Sequence, residues 1–164
     1  MKTLTLIRHA KSSWDDSSRP DKERTLNRRG MRDAPVIGER LSHRASKPQL
    51  ILSSPAIRAI ETARIIAGHV DYPISDIIVL DALYAATVAT LRKIVEALDD
   101  NLSEVYLIGH NPGLSEFAAD LSSNQITEMP TCSVVIAQVD SSKWHLLSKG
   151  FAEHIEFYKP KDRS

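Results

Sequence analysis

The sequence predicts an α/β protein, a three-layer α/β/α sandwich whose mostly parallel sheet ends in a C-terminal hairpin. Three observations carry that expectation. Short apolar, β-branched runs alternate with longer amphipathic stretches from residue 3 to residue 121. Two closing runs, 133–139 and 143–148, flank the turn-forming Asp140-Ser141-Ser142. No repeat, low-complexity block or long linker interrupts the pattern, so residues 1–164 read as one domain.

The elements follow in order. Residues 3–8 (TLTLIR) are short, apolar and β-branched, hence a buried strand. Residues 12–27 are polar and turn-rich, a long surface loop of the kind that carries function. A helix is expected at about 28–44, with Met31, Ala34, Ile37 and Leu41 on one face. Pro35 falls inside it and predicts a kink, or a restart capped by Asp33. Residues 49–53 (QLILS) are the second strand. Ser54 as cap and Pro55 in the first turn then open a helix with Ala56, Ile60, Ala63 and Ala67 on one stripe. Residues 77–80 (IIVL) form the third strand. Thr87 caps a helix whose inner face is Leu91, Ile94, Val95 and Leu98. Residues 104–109 (EVYLIG) form the fourth strand, and Asn111-Pro112 opens a helix that turns Leu114, Phe117, Ala118 and Leu121 inward.

Composition narrows the function. The formal net charge is zero, which offers no bulk attraction to nucleic acid or to an anionic membrane. Any anion site must be a local cluster. A single cysteine, Cys132, precludes an internal disulfide and fits a reducing compartment. No run approaches the ~18 apolar residues of a membrane span. The N-terminus reaches charges at Arg8 and Lys11 too soon for a signal peptide, so the cytoplasm is the expected location. The expected state is a monomer, with neither nucleic acid nor membrane as partner.

Three segments share one grammar, a buried strand followed by polar residues at a loop or helix start. They are Ile7-Arg8-His9-Ala10, Leu52-Ser53-Ser54-Pro55-Ala56-Ile57-Arg58 and Ile108-Gly109-His110-Asn111-Pro112. Open α/β sheets bind ligands beyond the carboxyl ends of their strands. As parallel neighbours these strands point Arg8, His9, Arg58 and His110 into one crevice. Two guanidiniums and two imidazoles around a point repel one another unless an anion lies between them. The helix starts at Ser54 and Asn111 add further partial positive charge. A phosphate-sized dianion fits that demand.

Roles follow from chemistry. Two arginines compensate charge on the equatorial oxygens of a phosphoryl group in transfer. His9, at the end of a rigid strand, suits in-line attack from a neutral nitrogen, with its other nitrogen bonded to a backbone carbonyl to fix the tautomer. His110 suits donation to the equatorial oxygens. No HxxH, CxxC or HExxH spacing calls for a metal, and no cofactor is expected. Cys132 lacks the arginine six residues on that a cysteine phosphatase needs, Gln138 standing there.

These motifs resemble the histidine phosphatase (phosphoglycerate mutase-like) superfamily. Arg8-His9-Ala10-Lys11 is similar to its "RHG" signature, with alanine for glycine. The stretch Ser53 to Ala63 resembles its second-arginine motif, Gly109-His110-Asn111-Pro112 its second-histidine motif, and Leu26-Asn27-Arg28-Arg29-Gly30 a loop pattern it shares. The match runs in order across about residues 3–121 and looks closest to the SixA-type phosphohistidine phosphatase branch. The resemblance implies a phosphoglycerate mutase-like fold, a covalent phosphohistidine on His9, and a phosphate contact from Ser12, which reads equally as a turn hydroxyl. Larger members carry a glutamate acid after the third strand. Here Leu80-Asp81-Ala82-Leu83-Tyr84-Ala85-Ala86 places alanine or tyrosine there.

Without that acid an alkoxide leaving group lacks its proton, whereas the nitrogen of a phosphoramidate is protonated before transfer. The expected function is therefore a metal-independent phosphatase, acting on a phosphohistidine-bearing protein. One alternative is a phosphomonoesterase of phosphorylated small molecules, with Asp15 or Asp81 as acid. Another is a non-catalytic phosphate- or phosphoprotein-binding module. Asp15, Asp16 and Asp21 read first as solvated loop charges and second as an acid, Glu61 as an ion-pair partner for Arg58 before an acid, and Arg28, Arg29, Arg32 and Lys22 to Arg24 as solvated faces that could extend the cleft toward acidic phosphoproteins. Trp14 is expected to pack against the base of its loop.

Overall fold

A computed structural model describes residues 1–15 and 18–161. Asp16, among the loop acids considered above, lies outside the described residues. The sheet is built from β1 (Lys2–Arg8), β2 (Leu50–Ser53), β3 (Ile78–Val79), β4 (Glu104–Gly109), β5 (Val134–Val139) and β6 (His154–Tyr158). Its spatial order is β3-β2-β4-β1-β5-β6. The first four strands are parallel, and β5 and β6 run antiparallel to their neighbours. The helices are α1 (Arg28–Ser42), α2 (Ile57–His69), α3 (Val88–Glu96), α4 (Gly113–Leu121) and α5 (His145–Ser148).

Strand alternation divides the core into two faces. Ile7, Ile51, Ile108 and Ile136 pack with Ile37 and Leu41 of α1 and Ala63 and Ile66 of α2. Leu4, Leu6, Leu107 and Val135 pack with Leu91 and Val95 of α3, Leu114 and Phe117 of α4, and Leu147 of α5. Period two in the strands and about 3.6 in the helices thus give three layers. No helix among the described residues is long and apolar enough to cross a membrane.

Three local expectations are corrected. Residues 143–148 are not the return strand of the hairpin. Trp144 and Leu147, three apart, are both buried as a helical turn requires, whereas Leu146 is exposed. The Trp144 amide donates to the Asp100 carboxylate and its indole to the Asp99 carbonyl, fixing α5 there. The strand paired with β5 is β6.

The α2 helix does not open at Ser54-Pro55. It starts at Ile57, and the Ser54 hydroxyl accepts from the Ala56 amide instead. α1 is one helix through Pro35, with no restart at Asp33. Asn27 caps it by accepting from the Gly30 amide, while Asp33 faces Arg29 and Arg32. Met31 stays exposed, because the first turn is docked through Gly30. A Cβ there would lie 2.2 Å from the Lys11 carbonyl oxygen, so only glycine lets α1 approach the loop after β1.

Candidate active site

The carboxyl ends of β1 and β4 and the start of α2 bring Arg8, His9, Arg58 and His110 to one cavity of about 300 Å³. β1 and β4 are in register to their last pair, Arg8 opposite Gly109, so the residues that follow, His9 and His110, emerge side by side. Their ring centroids are 5.0 Å apart. Both rings are buried.

The His9 Nδ1 lies 2.8 Å from the Ala10 carbonyl oxygen, an acceptor only, so Nδ1 carries the proton and Nε2 keeps its lone pair. Burial, with repulsion from His110, Arg58 and Arg8, pushes His9 down to about 3. Burial first, then Arg58, pushes His110 down to about 4. The His110 Nε2 is 2.6 Å from the Ser54 hydroxyl, and its Nδ1 is 3.5 Å from Arg58 Nη2.

Arg8 donates through Nη1 to the Met129 carbonyl, and Arg58 through Nη1 and Nη2 to the carbonyl and carboxylate of Asp21. The Nε of each arginine is buried without a partner. Buried donors left unpaired are costly, so these two N–H groups suit an anion that enters the cavity.

Ser12 lines the cavity and its hydroxyl accepts from Arg24. Asp15 and Asp81 are not in the cavity wall. Asp15 borders a separate depression with Ser13, Arg19 and Thr25, and Asp81 is exposed at the start of a 3-10 turn. The rim in the third-strand region carries Tyr84 and Ala85.

The sequence places Asp21 and Arg24 among solvated loop charges, whereas the structure puts both in the cavity wall. Asp21 Oδ2 accepts from Arg58 and from the Tyr84 hydroxyl, and Oδ1 from Arg24. The Tyr84 bond first, then Arg58 and Arg24, hold its carboxyl down at about 2. Arg24 is buried and not a solvated charge. The one available signal was Asp21-x-x-Arg24, a pair spaced for one helical turn. Trp14 does not pack into the loop base. It is 70% exposed, with the Arg24 guanidinium 3.6 Å from its ring centroid. Glu61 takes the Leu26 amide instead of pairing with Arg58.

The two neutral imidazoles set a pH dependence of stability. Unfolded histidines protonate near 6.5, whereas these stay neutral to about 3 and about 4. Between those values the unfolded chain binds more protons. Stability is therefore complete above about 6.5 and is lost as pH falls toward the folded values. From about pH 8 to about pH 5 the expected loss is roughly 2 kcal/mol per histidine. Asp21 adds nothing in that window, since its carboxyl titrates well below it. Urea unfolding at the two pH values measures this, and equal stability at both would contradict the neutral, buried assignment.

The comparisons agree with the geometry. The family model for the histidine phosphatase superfamily (branch 1) matches residues 4–84. An uncharacterised chloroplastic protein of Arabidopsis thaliana is 34% identical over 149 residues, covering 86% of this chain and 68% of its own length. An uncharacterised protein of Mycobacterium tuberculosis is 28% identical over 165 residues, covering 94% of this chain and 100% of its own. Among solved structures, the Agrobacterium tumefaciens protein described as phosphohistidine phosphatase SixA superposes with a TM-score of 0.76 at 27% identity. That match covers 83% of this chain and 90% of the other. A protein histidine phosphatase SixA complexed with tungstate gives a TM-score of 0.81 at 20% identity, covering 96% and 97%. With the strand order, the two strand-end histidines and the two arginines already in place, the chain belongs to the histidine phosphatase superfamily, in its SixA-type branch.

Proposed function

We propose that this phosphatase hydrolyses phosphohistidine on a protein, without a metal, through a covalent phosphohistidine on His9. The observation that carries the reading is the His9 ring, proton fixed on Nδ1 and lone pair on Nε2, on the floor of a cavity with two unpaired arginine N–H groups.

The lone pair of His9 Nε2 forms the new P–N bond. As the old P–N bond breaks, its electron pair leaves with the substrate imidazole. A substrate imidazole protonated on its other nitrogen departs neutral, so transfer between the two rings requires no proton donor. Water then takes the phosphoryl group, its two protons leave with dihydrogen phosphate, and His9 returns neutral. An alkyl phosphate departs as an alkoxide and needs a proton that neither Ala85 nor the ionised Asp21 supplies.

Arg8 and Arg58 hold the equatorial oxygens through Nε. Arg58 Nη2, a donor only, faces His110 Nδ1, and a phosphoryl group lying against both favours the tautomer in which Ser54, accepting from Ala56, donates to Nε2 and Nδ1–H turns to the phosphoryl oxygens. Residues 1–164 act as one catalytic domain, a monomer in the cytoplasm, with neither nucleic acid nor membrane as partner.

The test compares kcat/KM for a phosphohistidine peptide, p-nitrophenyl phosphate and an alkyl phosphate, each with and without chelator. The expected order is as written, with the alkyl substrate on the order of 10²-fold or more below the peptide and no effect of chelator. Alkyl phosphates matching the peptide, with selective collapse in Asp15→Asn or Asp81→Asn, would establish the small-molecule phosphomonoesterase. No turnover and no label on His9 would establish a binding module.

A further inference from the structure

Asp21 is an anion fixed inside a cavity made for an anion. Its carboxylate and carbonyl occupy both Nη groups of Arg58, and Arg24, itself stacked under Trp14, holds the other carboxylate oxygen. A phosphoryl dianion against Arg58 is therefore repelled by a carboxylate that cannot turn away, a cost that any substrate binding here must meet.

The position of Asp21 shows what offsets the repulsion. His9 is 7% exposed at the floor, while the Asp21 side chain is 45% exposed at the rim. In-line transfer sends the leaving group away from the nucleophile, toward that rim. Tyr84 stands there as well, its ring edge-on to His110 and 5.5 Å from it between centroids. The Tyr84 proton is engaged by Asp21, so the lone pairs of the phenol oxygen remain to accept an N–H.

We propose that Asp21 and Tyr84 form a leaving-group subsite that selects substrates whose leaving group is cationic while still bonded to phosphorus. Asp21 acts through its charge and by orienting the Tyr84 hydroxyl. Tyr84 accepts an N–H of the protonated leaving group, the P–N bond breaks onto the nitrogen bonded to phosphorus, and the group departs neutral as described above. A neutral ester oxygen at the same place gains nothing from either residue and keeps the full repulsion. The inference rests on His9-centred phosphoryl transfer but not on the substrate being a protein.

Small probes test it. Phosphoramidate carries an ammonium nitrogen at neutral pH, whereas p-nitrophenyl phosphate carries a neutral ester oxygen. The kcat/KM ratio of the first to the second is measured in wild type, Asp21→Asn and Tyr84→Phe, together with orthovanadate affinity. Asp21→Asn is expected to lower the ratio on the order of tenfold, which is the scale of one charge at close range. It is also expected to tighten vanadate binding and raise p-nitrophenyl phosphate turnover. Tyr84→Phe is expected to lower the ratio by a smaller factor. If Asp21→Asn reduces both substrates equally or weakens vanadate binding, Asp21 merely props Arg58 and the subsite is wrong. An unchanged ratio in both variants also overturns it. Turnover of neither substrate by wild type would overturn the phosphatase reading itself, and the subsite with it.

Discussion

His9→Ala is expected to remove covalent labelling altogether and to lower turnover by at least ~10⁴-fold, as removal of a nucleophile does elsewhere. The fold is expected to survive. His9 follows the last residue of β1 and its ring contributes one bond, to the Ala10 carbonyl. Losing that bond costs about 1–3 kcal/mol if the carbonyl stays dry, and less if water enters the vacated space. Rapid-quench capture of acid-labile phosphate on the chain, beside a thermal melt, reads both effects. A variant that kept near wild-type turnover would remove His9 from the reaction.

Arg58 carries the second large effect. Arg58→Ala is expected to lower kcat/KM by on the order of 10²–10³-fold, with phosphate inhibition weakened as well. Arg58→Lys is expected to rescue little, because an ammonium offers no planar fork to share between the phosphoryl oxygens and Asp21. Asp21 would keep Arg24 and Tyr84, so the rim should persist and the loss should fall on phosphate handling. A change below about threefold in either variant would mean that Arg8 alone grips the phosphoryl group.

The parts of the site that follow strand ends were legible in the sequence. Arg8, His9 and His110 each need only a buried run, a chain direction and the rule that ligands gather at carboxyl ends. Arg58 was legible because Leu50–Ser53 and the α2 stripe fix where it emerges. Asp21 and Arg24 were not, because their places depend on partners 37 residues and 12 residues away, Arg58 and Ser12, and no local pattern records those distances. Trp14 misled because a lone aromatic in a polar loop looks like an anchor, and only the nearby guanidinium explains its exposure. The hairpin misled because Lys143-Trp144-His145-Leu146-Leu147-Ser148 satisfies a short strand as well as a helical turn. The Asp99 and Asp100 contacts to Trp144 favour the turn.

One run of hydrogen bonds has a mechanical meaning. The Ala10 carbonyl holds the ring of His9, the Ala10 amide donates to the Thr62 hydroxyl, and that hydroxyl donates to the Arg58 carbonyl. The His9 ring and the backbone carrying Arg58 are thus ends of a single short tether through a fully buried threonine. His9 follows β1 of the sheet and Arg58 lies in α2, so the tether crosses the seam between those two layers and ties one to the other. One buried hydroxyl thus pins that seam at the cavity, and any displacement of α2 there pulls on the residue whose carbonyl orients the His9 ring.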